Sequence, residues 1–146
     1  MALSRFREAQ DEDGTWQRAL AELEAGEKRS HWMWFVFPQL AGLGHSPIAR
    51  FYAIADLAEA RAYLADPVLR ERLLATTAAT AQWAGQRRLA SLLGGIDALK
   101  FVSSMTLFEV AGEGEDRAVF ADALERLAGG ERDTRTLQLL GLSSRL

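Results

Sequence analysis

Lys28, Arg29, His31, Trp32 and Trp34 crowd into the stretch Lys28-Arg29-Ser30-His31-Trp32-Met33-Trp34-Phe35-Val36-Phe37-Pro38-Gln39. That stretch takes one of the chain's two histidines and two of its four tryptophans. Cations beside an imidazole can hold an oxyanion and exchange a proton with it. An indole face can stack a base, a sugar ring or a guanidinium. Read as a helix from Ser30, the stretch places His31, Trp34 and Phe35 on one face and Trp32, Val36 and Gln39 on the next. Lys28 and Arg29 then precede the helix, near its free N–H groups and positive end. On that reading Lys28 and Arg29 take a phosphate or carboxylate, Trp32 or Trp34 stacks a ring, Gln39 offers its amide and His31 moves a proton. The same residues also read as plain core, with the aromatics packed inside, Arg29 stacked on a tryptophan and His31 bonded to a backbone carbonyl. A buried strand is a further reading of so apolar a run.

A second polar group is Asp97, Lys100, Ser103, Ser104 and Thr106, set among Leu99, Phe101, Val102, Met105, Leu107 and Phe108. On a helix Lys100, Ser103 and Ser104 share a face. A serine near a lysine can be a nucleophile with its base, so His31, Lys100 and Ser104 are the candidate catalytic residues. Ser103 is a candidate ligand contact. The plainer reading has Asp97 as a helix cap paired with Lys100, and serines bonded back to the preceding turn. The two polar groups can converge on one pocket.

Other chemistry is poorly provided for. There is no cysteine, which excludes disulfides, thiolate metal ligands and a cysteine nucleophile. His31 and His45 have no carboxylate pattern around them, so no metal site is expected, and His45 reads as an exposed loop residue. Gly42-Leu43-Gly44 and Gly94-Gly95 lack the lysine and the strand-to-helix setting of a phosphate loop. No motif demands a cofactor. A net charge of −3 argues against general nucleic-acid binding, though a local basic patch is compatible with it. The longest apolar run, Trp32 to Pro38, falls far short of the ~20 residues that span a bilayer. The start of the chain is charged from the first turn and lacks a signal-peptide core. A cytoplasmic protein with no membrane association is expected.

The elements that must position these groups are legible as helices. At 146 residues one domain is expected, with its core over roughly 3–140. Ser4, Thr15, Ser30, Ser46-Pro47, Asp56, Asp66-Pro67, Asp97 and Asp133 read as helix starts. Gly26, Gly94-Gly95 and Gly129-Gly130 read as stops. Trp16, Leu20 and Leu23 form one helical stripe. Leu69, Leu73, Thr76, Thr80 and Trp83 form another, and Val119, Phe120, Ala123, Leu124 and Leu127 a third. The expected fold is all-α, a compact multihelical domain of about eight or nine short helices.

Long motifs tie the chain to a family. Lys28 to Leu40, Gly42-Leu43-Gly44, Phe51-Tyr52-Ala53-Ile54, Ala60-Arg61-Ala62-Tyr63-Leu64, Asp66-Pro67-Val68-Leu69, Asp97-Ala98-Leu99-Lys100 and Ser103-Ser104-Met105-Thr106-Leu107-Phe108 resemble bacterial domain-of-unknown-function family 1810. That family is sometimes mislabelled calpastatin, and the resemblance runs from Leu3 to Leu140. It implies an all-α multihelical fold and no established activity. Calpastatin inhibitors are disordered and repetitive, whereas this chain has a foldable core. In helix order and the Asp-Pro helix start the chain is also similar in outline to the NADAR proteins. Those are associated with NAD and ADP-ribose metabolism and cleave N-glycosidic bonds.

Two functions follow as expectations. One is a pocket that binds, and acts on, a small anionic nucleotide-like or ADP-ribose-like ligand. The other is a non-catalytic interaction domain that docks a protein through an exposed aromatic patch. The first requires Lys28, His31 and Lys100 to converge. The second requires an exposed Trp32 or Trp34 and no concavity beside Lys28.

Overall fold

The computed structural model describes residues 3–142. Among these the chain is all α. Its helices are α1 (Ser4–Asp11), α2 (Thr15–Glu24), α3 (Met33–Val36), α4 (Pro47–Phe51), α5 (Leu57–Ala65), α6 (Pro67–Ala81), α7 (Leu89–Leu93), α8 (Gly95–Ala111), α9 (Gly114–Ala128) and α10 (Thr134–Leu139). A 3₁₀ turn, Glu12–Gly14, joins α1 to α2. The nearest approach to a sheet is one isolated parallel bridge between Leu40 and Ile54. No helix among the described residues is long and apolar enough to cross a membrane.

Helix α8 is the centre of the fold. It packs against α5, α7, α9 and α10, while α6 bridges α2 and α9. Its apolar residues drive this: Phe101, Met105, Leu107 and Phe108 are wholly buried. An aromatic chain crosses the core from Phe6 to Tyr63 (5.2 Å), Phe108 (5.2 Å) and Phe120 (5.9 Å). Such edge and tilted pairs suit the ring quadrupoles and each add about 0.5–1.5 kcal/mol beyond area burial. Phe37 meets Phe101 edge-on at 5.0 Å, which anchors the aromatic stretch to α8.

Four of the expected starts are caps in the structure. Ser46 accepts from the Ala49 N–H, Asp56 from Glu59, Asp66 from Val68 and Leu69, and Asp133 from Thr136. Asp66 holds two first-turn donors of α6, each at 3.0 Å. Asp66→Ala should therefore lower stability by about 1 kcal/mol in chemical denaturation, with an unchanged m-value.

Four expected starts are not caps. Ser4 lies inside α1, whose N-cap is Leu3. The Thr15 hydroxyl donates back to the Glu12 carbonyl at 2.6 Å, because the chain enters α2 through a left-handed Asp13-Gly14 turn. Ser30 gives its hydroxyl to Glu22 instead. Asp97 stands in the first turn of a helix that begins two residues earlier, at Gly95. The helix drawn from Ser30 to Phe37 shortens to the four residues Met33–Val36.

Candidate functional site

The segment between α2 and α3 carries Lys28 and His31 and is pinned from below by a single carboxylate. Glu22, in the last turn of α2, accepts from the N–H of Arg29 (2.7 Å), the N–H of Ser30 (3.0 Å) and the indole N–H of Trp32 (2.9 Å), and from the Ser30 hydroxyl. Burial would raise the Glu22 carboxyl, but the Ser30 hydroxyl, the Arg29 N–H, the Trp32 indole and the Ser30 N–H outweigh it and hold the group below its usual value. The other ties are backbone. Lys28 N–H donates to the Leu92 carbonyl of α7 at 2.8 Å. At Gly26 the chain turns with φ of +81°, and a Cβ there would meet Arg87 Nη1 at 2.7 Å and the Trp83 ring at 3.0 Å. Only glycine fits both demands. Buried Gln10 fixes the far end, donating to the Phe35 carbonyl (2.8 Å) and the Tyr63 hydroxyl (3.3 Å) and accepting from Arg72 (3.2 Å).

Against this segment stands the start of α8. Gly94 (φ +91°, ψ 156°) ends α7 and begins α8 in a conformation open essentially to glycine alone. The turn it makes brings Asp97 onto Lys28. Lys28 Nζ lies 2.9 Å from one Asp97 oxygen and Lys100 Nζ 3.7 Å from the other. All three side chains are mostly buried, 10%, 20% and 24% exposed for Lys28, Asp97 and Lys100. Each ammonium also lies over an indole: Lys28 over Trp32 at 5.1 Å and Lys100 over Trp34 at 4.8 Å. Two cations share one carboxylate, so the cluster keeps one positive charge in excess.

Beside the cluster opens a cleft of about 420 Å³ whose walls include Lys28, His31, Trp34, Gly94, Gly95 and Asp97. A volume of this size suits a small ligand. The first residues of the 17-residue helix α8 line it, and a helix start carries about half a positive charge.

Of the expected residues Lys28, His31 and Trp34 line the cleft, Lys100 lies outside its lining against Asp97 and Trp34, and the others are elsewhere. Trp32 is wholly buried, with its N–H on Glu22, so its faces serve the core rather than a ligand. Arg29 is 75% exposed and pairs with Glu27 at 3.3 Å, outside the cleft lining. The anion site expected at the start of the aromatic helix does not form, because a four-residue helix has almost no dipole. Gln39 lines a separate, water-sized recess with Trp34 and Tyr52. Ser103 is buried and donates to the Leu99 carbonyl at 3.1 Å, and Ser104 is buried with no hydrogen-bond partner among the described residues. Neither lines the cleft. From Phe101 onward α8 is buried on most of its circumference, so its hydroxyls meet protein. For the docking-patch expectation, Trp32 is wholly buried, Trp34 is half-buried, and a concavity lies beside Lys28.

Glu22 and Gln10 were not among the expected residues. Glu22 falls with Arg18 off the apolar stripe of α2, on a face that reads as solvated. Gln10 sits at the end of a charged first helix.

The family model for proteins of unknown function DUF1810 matches residues 1–140. The chain belongs to the DUF1810 family. It is also similar to the conserved hypothetical protein Rv1873 from Mycobacterium tuberculosis, known from a crystal structure at 1.38 Å. The two are 43% identical, with 97% of each chain covered and a TM-score of 0.89. No curated protein matches the chain. Membership in DUF1810 brings a fold and no named activity, so the reading of the cleft rests on its own chemistry.

Proposed function

We propose that the cleft between the Lys28–Trp34 segment and the start of α8 binds a small anionic, ring-bearing ligand of the nucleotide or ADP-ribose type. The excess positive charge of the Lys28–Asp97–Lys100 cluster carries this reading. A phosphate entering the cleft meets Lys28 and the first N–H groups of α8, where Gly94 and Gly95 present no side chain to obstruct it. Trp34, half-buried in the wall, offers the stacking surface for a base. Lys100, more loosely held to Asp97 than Lys28 is, can turn from the carboxylate toward the ligand. His31 supplies an exposed imidazole at the rim, the side-chain type best suited to exchanging a proton with a bound anion.

The test is a thermal-shift series with ADP, ADP-ribose, NAD and inorganic phosphate on the native protein and on folded Lys28→Ala, Lys100→Ala and Arg29→Ala proteins. A ligand at a hundred times its Kd stabilises by about 2.7 kcal/mol. That corresponds to a rise in Tm of about 5–10 °C for a chain of this size. The nucleotides should raise the native Tm, the rise should shrink in both lysine variants, and Arg29→Ala should keep it. No rise with any compound at millimolar concentration, or a rise unchanged in both lysine variants, contradicts the proposal.

A further inference from the structure

A second cleft, of about 320 Å³, lies between the loop after α6 and the last turns of α9 and is lined by Gln86, Arg87, Arg88 and Arg126 together with Gly85 and Leu127. It shares no lining residue with the cleft at Lys28. Every charged side chain in its lining is an arginine, in a chain whose net charge is −3. Concentrating three guanidinium groups in one concavity is unfavourable in the absence of an anion.

The three arginines are held in different ways. Arg87 is fixed: its guanidinium lies 4.7 Å from the Trp83 ring centre, and its Nη1 donates to the Gly26 carbonyl at 2.7 Å. A guanidinium has five donors, so most of those on Arg87 are left for other partners. Among the described residues Arg126 has one weak ion pair, with Asp122 at 3.5 Å, and both side chains are about half exposed. Such a pair contributes little and yields readily to a stronger acceptor. Arg88 is exposed, and its side chain has no hydrogen-bond or ion-pair partner among the described residues. The C-terminal end of α9 opposes anion binding here with about half a negative charge. Three guanidinium charges outweigh it.

We propose that this second cleft is an anion site for the phosphate group of a small molecule, with Arg87 as the immobile wall and Arg88 and Arg126 closing on the phosphate oxygens. The guanidinium fork matches two oxygens of one phosphate, which a lysine cannot do. The stacked Arg87 is already ordered, so less conformational freedom is lost on binding.

The test is calorimetric titration with inorganic pyrophosphate at low ionic strength in folded Lys28→Ala protein, which weakens the first cleft, and in the same protein carrying Arg88→Ala or Arg126→Ala. Arg88 is exposed and contributes only its backbone to the start of α7, so its replacement leaves the fold intact. Binding should persist in Lys28→Ala and weaken at least ten-fold on adding either arginine change. Citrate should bind more weakly than pyrophosphate. Absence of binding in Lys28→Ala, or binding unchanged by both arginine substitutions, overturns the assignment. Citrate binding as tightly as pyrophosphate, or a ten-nucleotide single strand binding more tightly through the same arginines, overturns it as well. Failure here leaves the Lys28 reading standing, because that one is read from the loss of the nucleotide response in the Lys28→Ala and Lys100→Ala proteins.

Discussion

Trp32→Ala is expected to destabilise the protein by about 3–5 kcal/mol, while Trp34→Ala, two residues on, is expected to lose about half as much and to lose nucleotide binding. Trp32 is among the largest wholly buried side chains of the molecule. Its removal leaves a cavity beside Phe37, 6.3 Å away, and strips Glu22 of the indole donor at 2.9 Å. Trp34 is half-buried at the cleft wall under Lys100. Less apolar surface returns to water when it is cut back. Urea unfolding of both variants, with ADP titrations beside it, separates the two roles. Equal losses of stability would contradict the placement of Trp32 inside and Trp34 at the wall.

Glu22→Gln is expected to cost about 2–3 kcal/mol near neutral pH, because hydrogen bonds to a charged acceptor exceed those to a neutral one. A glutamine can keep its oxygen on the three N–H donors, but its N–H₂ then faces the Ser30 hydroxyl, which must turn from donor to acceptor. The pH dependence follows from the direction of the shift. The folded carboxyl titrates below its usual value. Its contribution is therefore fully present above that value and fades as pH falls through the folded one. Measured by urea unfolding, the stability gap between native protein and Glu22→Gln should be constant from pH 7 to about 5 and close progressively below that. A gap that persists undiminished at pH 3 would show that the carboxylate charge is not what holds the Arg29–Trp32 segment.

Four helix starts were readable from their caps. Ser46, Asp56, Asp66 and Asp133 each precede a proline or an apolar helical stripe, and each caps in the structure. Ser30 and Asp97 are the same residue types, yet tertiary partners take them: Glu22 claims the hydroxyl and Lys28 the carboxylate. Local spacing carries no record of a partner many residues distant along the chain.

The candidate site divides the same way. The meeting of Lys28 with Lys100 was foreseeable as two polar groups in an otherwise apolar vocabulary. That they meet through Asp97, on a turn made at Gly94, was not. Gly94-Gly95 has no phosphate-loop signature, and its importance comes from bringing a long helix's first turn against Lys28. Trp32 and Trp34 were indistinguishable as residue types. Their separation into core and wall depends on α3 being a single turn.

An amide and indole NMR titration with ADP is the sharpest test for an anionic, ring-bearing ligand in the Lys28–Trp34 cleft. The largest shift changes are expected on the amides of Gly94, Gly95 and Ile96 and on the Trp34 indole N–H. The Trp32 indole N–H, bonded to Glu22 in the core, should move much less. Absence of saturable changes at millimolar ADP, or changes confined to the Arg87–Arg126 cleft, would contradict binding in the Lys28–Trp34 cleft.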